Sequence, residues 1–196
     1  MTANFHMSPE EFRRRGHEMV DWVADYLSEV AEYPVNSLAA PGEVRAALPT
    51  TAPEDPEPFE TVMRDMNEII MPGITHWQSP NWYAYFPANS SGPALLGEMA
   101  AAGLGVQGML WSTSPAATEL ETVVVDWMVD LLGLPSSWKT TGPGGGVIQM
   151  SASDSAHVAL VTARERSLDP VDKLVVYASD QTHSSVEKGA RIAGYS

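Results

Sequence analysis

The segment "KLVVYASDQTHSSVEKG" (residues 173–189) decides the expected fold, because it joins a β-like run to a helix-like run across one short polar turn. The apolar residues before Ser179 are typical of a strand, and a helix is expected from His183 onward. The same order occurs upstream, where the glycine run at 144–146 leads into a short β-like stretch and then a helix ending near Arg166. Alternation of strand and helix predicts an α/β layer.

The N-terminal part of the chain predicts helices joined by a proline-rich stretch. Ser8 is a typical N-cap, since a proline follows at the first helical position and a glutamate at the third. Helical spacing of apolar residues continues to about Glu32. We expect a short helix near 43–48 and a further helix over 59–70 that ends before Pro72.

The middle of the chain changes in composition. Residues 75–93 are rich in aromatic side chains and carry no formal charge, so we expect them to be buried or to lie at an interface. The small apolar stretch at 93–105 predicts a buried helix. Ser114 and Pro115 begin another helix, which Gly133 terminates.

Charge and composition exclude several classes of protein. The formal net charge of −14 and the pI of about 4.5 argue against a nucleic-acid partner, because neutralising phosphates requires clustered lysines and arginines. The absence of cysteine excludes disulfides, thiolate chemistry and cysteine-ligated zinc. No basic-then-apolar leader opens the chain, and no apolar stretch approaches the roughly 18 residues of a membrane span. We therefore expect a soluble, cytoplasmic protein without a membrane partner.

The glycine run and the turn after it form the first candidate site. Glycine lets a backbone approach a ligand closely, and the hydroxyls and free N–H groups of Ser151, Ala152 and Ser153 at a helix start form a natural anion site. The Gly-Lys-Ser/Thr of a phosphate loop and the spaced glycines of a dinucleotide fingerprint are both missing. An ordinary loop with serine N-caps fits the same residues, so both interpretations remain open.

Two further candidates carry weaker signals. His183 follows an apolar run, where a histidine is more often a hydrogen-bonded structural residue than a catalytic one. His76, His157 and His183 lack metal-ligand spacing, so we expect no metal site. The aromatic stretch at 75–93 is the third candidate, and core packing is its simpler interpretation.

In combination, these signals resemble one family, the group II pyridoxal-phosphate decarboxylases related to aromatic-L-amino-acid decarboxylase. The resemblance extends over the chain from about Ser8. The blocks that carry it are "HWQSPNWYAYFPA" (76–88), "LWSTSPAATELETVVVDWM" (110–128), "GGGVIQMSAS" (144–153) and "ASDQTHSSVEKG" (178–189).

The resemblance implies a fold, a cofactor and an activity. The fold is that of fold-type I enzymes, with an N-terminal helical dimerisation arm over 1–91 and the first part of the large α/β domain over 92–196. The cofactor is pyridoxal 5'-phosphate (PLP). The activity is decarboxylation of an aromatic L-amino acid to the amine and CO₂, in a homodimer whose sites lie at the subunit interface.

The resemblance also assigns roles to residues. Ser151, Ala152 and Ser153 are expected to hold the cofactor phosphate. The ring of His183 is expected to stack on the pyridine ring and to serve as a catalytic residue that relays a proton. The expected substrate-binding residues are Trp77, Tyr85, Phe86, Pro87 and Ala88, together with Gln107 and Met109 from the neighbouring subunit.

Departures from the family leave the substrate open. Animal aromatic decarboxylases have threonine at the position of Ala88, and isoleucine and phenylalanine at those of Gln107 and Met109. The family's Schiff-base lysine and the aspartate that pairs with the pyridinium nitrogen are expected beyond residue 196. Lys139, Lys173 and Lys188 match no lysine motif of the family. We therefore expect activity to need a C-terminal part, supplied as a second chain or a severed segment.

Three alternatives to this function remain. The first is an aldehyde-forming enzyme that couples decarboxylation to oxidative deamination. The second is a decarboxylase of the same group that acts on an acidic amino acid. The third is a non-catalytic fragment that only dimerises.

Overall fold

The computed structural model describes residues 7–86 and 90–195, and the chain separates into two compact units at Ala100 and Ala101. The candidate residues Pro87 and Ala88 lie outside the described residues. The boundary that we expect between a helical arm and a larger domain at 91/92 stays a prediction.

Unit 1, up to Ala100, is built from helices around a small core. In chain order its helices are α1 (Pro9–Glu29), α2 (Glu43–Ala47), α3 (Phe59–Asp65), α4 (Met71–Gly73) and α5 (Gly92–Leu104), the last of which crosses into unit 2. The N-cap prediction is confirmed, because the Ser8 hydroxyl accepts the Glu11 N–H at 3.1 Å. The buried apolar residues of this unit are Val30 and Met71.

The helix expected over 59–70 continues further than predicted. A π-helical turn, Met66–Ile70, follows α3, and α4 then includes Pro72. The Met71 N–H bonds to the Met66 carbonyl five residues earlier. This wider turn comes directly before Pro72, whose ring in a regular α-helix would clash with the carbonyl four residues back. The prediction that the helix ends before Pro72 was therefore wrong.

A buried arginine connects α1 to α3. Arg15 is only 8% exposed, and its guanidinium donates to Glu18 at 2.8 Å and also to Glu60. The same group lies 5.0 Å from the centroid of the Phe59 ring. The hydrogen bond and charge of Arg15 hold the pKa of Glu60 below its ordinary value. This ion cluster therefore holds α1 against α3.

Unit 2 contains three long helices. They are α6 (Pro115–Leu131), α7 (Ala152–Arg166) and α8 (Ser184–Ile192). Ser114 caps α6 by accepting the Ala117 N–H at 3.4 Å, and Gly133 ends the turn after it with φ of 65°. These three helices and their first residues agree with the sequence prediction.

The predicted strands are not confirmed. Across residues 7–86 and 90–195 the structure has no β-strand, and neither 147–150 nor 172–179 pairs with a neighbour. A strand depends on ladder hydrogen bonds from an adjacent strand, so an apolar run cannot form one without a partner. Part of the second run forms a 3₁₀ turn instead, Val171–Lys173. Within the described residues the chain is helical.

Much apolar surface is left uncovered. No residue of α5 is buried, so the prediction of a buried helix at 93–105 was wrong for this chain. The β-like runs likewise expose Ile148, Met150, Val175 and Tyr177. No described helix is both long and apolar enough to span a bilayer.

Candidate functional site

The turn at 151–153 begins α7, and Ser151 is its N-cap. The Ser151 hydroxyl accepts the Asp154 N–H at 3.1 Å and donates to Asp154 Oδ2 at 2.9 Å. The Ser151 carbonyl accepts from the N–H and the hydroxyl of Ser155. The Ser151 hydroxyl proton is therefore already used within the helix start.

Free donors lie at the next two positions. Among the described residues, no hydrogen bond is made by the Ala152 N–H, the Ser153 N–H or the Ser153 hydroxyl. The first N–H groups of a helix lack intrahelical partners, and they favour anions together with the helix dipole. This donor set fits a phosphate group, and the hydroxyl best placed to bind it is that of Ser153 rather than Ser151.

The glycine run before the turn packs on its own chain. A Cβ on Gly144 would lie 2.5 Å from backbone atoms of Trp138, and one on Gly146 would lie 2.6 Å from Val125 Cγ1. Both distances are shorter than a carbon–carbon contact allows. These two glycines are thus required by internal packing, whereas the sequence had suggested close approach to a ligand.

Two carboxylates of α6 hold the ends of this loop. Asp126 accepts the Thr140 N–H at 2.9 Å and the Thr140 hydroxyl at 2.7 Å. Glu121 accepts the Ile148 N–H at 2.7 Å. The hydrogen bonds from Thr140 lower the pKa of Asp126, with a further contribution from the charge of Lys139. Sequence reasoning missed these contacts, since nothing in the local pattern pairs residues 14 and 27 positions apart.

His183 is the N-cap of α8. Its Nδ1 accepts the Ser185 N–H at 3.3 Å and lies 2.9 Å from the Ser185 hydroxyl oxygen. A backbone N–H can only donate, so Nδ1 of the neutral ring is an acceptor and the ring proton is on Nε2. The cap therefore sets both the orientation of the exposed ring and its tautomer.

His183 also lines an open cleft of about 320 Å³. Its other polar lining residues are Ser179, Asp180, Thr182, Ser184, Glu187, Arg191 and Tyr195. The residues 151–153 do not line it. The turn and the histidine are therefore not walls of one cavity.

The packing of α7 on α8 places their N-termini at the same end. Gly189 lies against His157 and Leu160, and further along the pair the Arg164 guanidinium donates to the Ala193 carbonyl at 2.6 Å. Residue numbers thus rise together along both helices. The turn that begins α7 and His183 at the start of α8 consequently lie at the same end of the pair, where both helix dipoles are positive.

The aromatic stretch forms a stack in unit 1. The ring centroids of Trp77 and Trp82 are 4.8 Å apart, and those of Trp77 and Tyr85 are 5.7 Å apart. Tyr85 has φ of 57°, which is strained for a residue with a side chain. Tyr85 and Phe86 are 81% and 98% exposed, so the prediction of burial was wrong for them and the interface prediction stays open.

A buried histidine anchors the start of that stretch. His76 is 2% exposed, its Nδ1 lies 3.0 Å from the Tyr26 hydroxyl, and its ring stacks on Tyr33 at 4.9 Å. The backbone N–H of His76 donates to the Val35 carbonyl at 2.9 Å. Burial, and to a smaller extent Tyr33, raises the pKa of Tyr26. His76 directly precedes Trp77, so its buried contacts fix the start of the aromatic stretch. The spacing of residues along the sequence did not reveal these contacts.

The remaining candidate residues lie between α5 and α6. The Gln107 carbonyl accepts the Thr113 hydroxyl at 2.7 Å, and Met109 is 71% exposed. The structure brings neither residue into the cleft beside His183. Within the described residues, no group of three or more His, Asp or Glu side chains is arranged to hold a metal ion.

The chain is similar in sequence to a known family of enzymes. The model of the pyridoxal-dependent decarboxylase conserved domain matches residues 41–196. Tyrosine decarboxylase 4 from Petroselinum crispum is 50% identical over 202 residues, covering 99% of this chain and 40% of the relative. The chain thus spans about two fifths of the length of the curated relative it matches.

Solved structures agree with the sequence comparisons. The crystal structure of Catharanthus roseus tryptophan decarboxylase with L-tryptophan superposes with a TM-score of 0.92 and 46% identity, over 98% of this chain and 42% of that one. Rhodiola rosea 4-hydroxyphenylacetaldehyde synthase gives 0.90 and 45%, over 97% and 42%. These likenesses confirm the resemblance read from the sequence blocks and are consistent with a fold-type I enzyme. The chain belongs to the pyridoxal-dependent decarboxylase family.

Proposed function

We propose that this chain is the N-terminal part of a PLP-dependent carboxy-lyase that converts an aromatic L-amino acid to the corresponding amine and CO₂. The observation that carries the proposal is the shared end of α7 and α8, where free anion donors and a capped histidine occur together. The family match over residues 41–196 supplies the chemical class. The likeness to tyrosine and tryptophan decarboxylases supports an aromatic substrate.

The donor set at the start of α7 suits the cofactor phosphate. In the proposed complex, the N–H groups of Ala152 and Ser153 and the Ser153 hydroxyl bind it, while Ser151 keeps its capping role. His183 would hold the pyridine ring by stacking on it, and its Nε2, which carries the ring proton, would be the proton donor on that side. PLP, when bound, supplies the electron sink for the carbanion left by departing CO₂.

The substrate side chain is proposed to contact the aromatic stack. Trp77, Tyr85 and Phe86 are 42%, 81% and 98% exposed. The family resemblance adds Pro87 and Ala88 to the proposed pocket. Gln107 and Met109 reach this pocket from the second subunit of a homodimer. Aromatic rings favour offset stacking on other rings, which supports a free amino acid with an aromatic side chain as the ligand.

The assembly is proposed to be larger than this chain. A homodimer, completed by a C-terminal part that brings the lysine, would cover α5 and the exposed runs at 147–150 and 172–179. Apolar surface of this extent is typical of interfaces. In that setting the two runs gain neighbours and form strands of the α/β sheet. The proposed location is the cytoplasm.

One observation also favours an aldehyde as the product. The aldehyde synthase from Rhodiola rosea superposes almost as well as the tryptophan decarboxylase, with TM-scores of 0.90 and 0.92. The aldehyde-forming alternative therefore stands beside the amine-forming one.

The test is product analysis with the complete enzyme and PLP. Tyrosine, tryptophan, phenylalanine, DOPA and glutamate are each supplied, and CO₂, amine, aldehyde and hydrogen peroxide are quantified. Amine and CO₂ in equal amounts from an aromatic substrate support the main proposal. Aldehyde with peroxide selects the second product. Turnover of glutamate alone, or of no amino acid, refutes the aromatic assignment.

A further inference from the structure

We infer that Asp126 and Glu121 are positioning residues for the phosphate-binding turn of the proposed PLP site. The inference rests on the proposed function, since it presumes that the turn at 151–153 binds the cofactor phosphate. Its basis is the pair of anchors that join α6 to the two ends of the glycine loop, defined here as residues 140–148.

The first anchor fixes the start of the glycine loop. Both oxygens of Asp126 are used, one by the N–H and the other by the hydroxyl of Thr140. Two bonds to one residue define its orientation as well as its distance. The lowered pKa of Asp126 agrees with a carboxylate that stays ionised and accepts both bonds.

The second anchor fixes the end of the loop. Glu121 accepts the Ile148 N–H at 2.7 Å, and Ile148 precedes the N-cap Ser151 by three residues. Three residues of extended chain reach about 10 Å. The anchor therefore confines Ser151 to a short radius around a fixed point on α6.

The other side of the turn is fixed by α7. This helix is held on α8 by the close contact of Gly189 with Leu160 and by the bond from Arg164 to the Ala193 carbonyl. The turn at 151–153 thus lies between an anchored loop and a packed helix. Its free N–H groups keep one direction without help from the ligand, which is the condition for binding an anion at low entropic cost.

The simpler alternative is that the carboxylates only stabilise the fold. The two interpretations differ in what they predict for ligands. A positioning role affects binding of the phosphate group alone, so it weakens PLP and leaves pyridoxal, which lacks the phosphate, unchanged. A purely structural role lowers unfolding temperature and affects both ligands alike.

The same helix offers a matched control. Asp130 pairs with Lys139 Nζ at 2.6 Å, but this bond joins two side chains and Asp130 is largely exposed. Asp130→Ala removes the same charge from α6 as Asp126→Ala does. Alanine favours a helix, so both substitutions preserve α6.

The experiment measures dissociation constants of PLP and of pyridoxal for the complete apoenzyme by fluorescence titration. Asp126→Ala and Glu121→Ala are each expected to weaken PLP by about tenfold, the effect of one charge-assisted hydrogen bond, with pyridoxal affinity within twofold. Asp130→Ala is expected to match wild type for both ligands. Asp126→Asn keeps one acceptor oxygen for the Thr140 N–H, and its amide N–H can donate to the Thr140 hydroxyl oxygen, so this variant is expected to recover most of the PLP affinity.

Three results overturn the inference: equal weakening of both ligands, PLP affinity at the wild-type level in both Asp126→Ala and Glu121→Ala, or the same loss in Asp130→Ala. Thermal unfolding of each apoenzyme checks that the variants fold. If Asp126→Ala does not fold, Thr140→Val removes only the hydroxyl bond and takes its place under the same criteria. A wild-type enzyme that binds no PLP refutes the proposed function itself.

Discussion

Gly189 of α8 lies directly against His157 of α7: an added Cβ would be 3.4 Å from His157 Cα and 3.1 Å from Leu160 Cδ1. This approach sets the distance between the two helices. Because α7 begins with the turn at 151–153 and α8 with His183, it also sets the distance between the proposed phosphate site and the proposed catalytic ring. The glycine at position 189 therefore connects the packing of α7 and α8 to the geometry of the site.

A larger residue at this position should separate the helices. Gly189→Val is expected to destabilise unit 2 by about 1–3 kcal/mol, because overpacking a close contact forces the backbone to shift. The midpoint of urea unfolding, followed by circular dichroism, measures this. Lys188→Val is the control, since it adds the same β-branched residue one position earlier on an exposed part of α8. Equal midpoints for both variants would show that the contact is not tight.

Ser151 and Ser153 lie in the same turn, and their substitutions should have different effects. One should change the unfolding free energy and the other the affinity for PLP. Ser151→Ala removes the N-cap of α7 and is expected to cost about 1 kcal/mol of unfolding free energy. Ser153→Ala leaves the cap intact and is expected to weaken PLP by about tenfold, because it removes a free hydroxyl donor to the phosphate. Thermal unfolding of the apoenzyme and cofactor titration measure the two effects. The reverse assignment of effects would contradict the donor set proposed here.

The ion cluster of α1 and α3 should make stability depend on pH. The pKa of Glu60 is lowered in the folded chain by Arg15, so its contribution is fully present above its ordinary value of 4.5 and is lost as the pH falls through the folded value. Glu60→Gln is expected to unfold at a lower temperature than wild type at pH 7. The difference should shrink below pH 4.5, as wild-type Glu60 becomes protonated.

The control for this titration is Glu54→Gln, a substitution of an exposed glutamate. It should change the unfolding temperature little at any pH. A Glu60→Gln difference that persists unchanged at pH 3 would mean that packing of the side chain, rather than its charge, holds α1 to α3.

Local signals in the sequence predicted the helix starts, whereas contacts between distant residues could not be predicted from it. Ser8 and Ser114 accept N–H groups three residues later, so their patterns suffice to locate α1 and α6. The Arg15–Glu60 pair joins residues 45 positions apart, and no periodicity announces it. The strand predictions at 147–150 and 172–179 are not confirmed within the described residues for a similar reason, because a ladder is a property of two segments rather than one.

The candidate site was predictable to a similar extent. A serine turn and a histidine at two helix starts were found from the sequence, since small polar residues before apolar helices are typical N-caps. Their position at a common end of α7 and α8 was not, because it depends on the close approach at Gly189. The anchor from Asp126 to Thr140 was likewise invisible, although it determines where the glycine loop lies.

The last prediction separates the two roles proposed for His183, stacking and proton transfer. His183→Phe keeps a flat ring, so a residue that only stacks should retain most of the rate, whereas loss of a proton relay should lower kcat by at least about a hundredfold. We expect the hundredfold loss, with PLP still bound. Phenylalanine also removes the Nδ1 acceptor of the Ser185 N–H, so His183→Asn is the control that restores a cap without ring or relay. Single-turnover rates and cofactor titration measure both variants; a His183→Phe enzyme as fast as wild type refutes the relay.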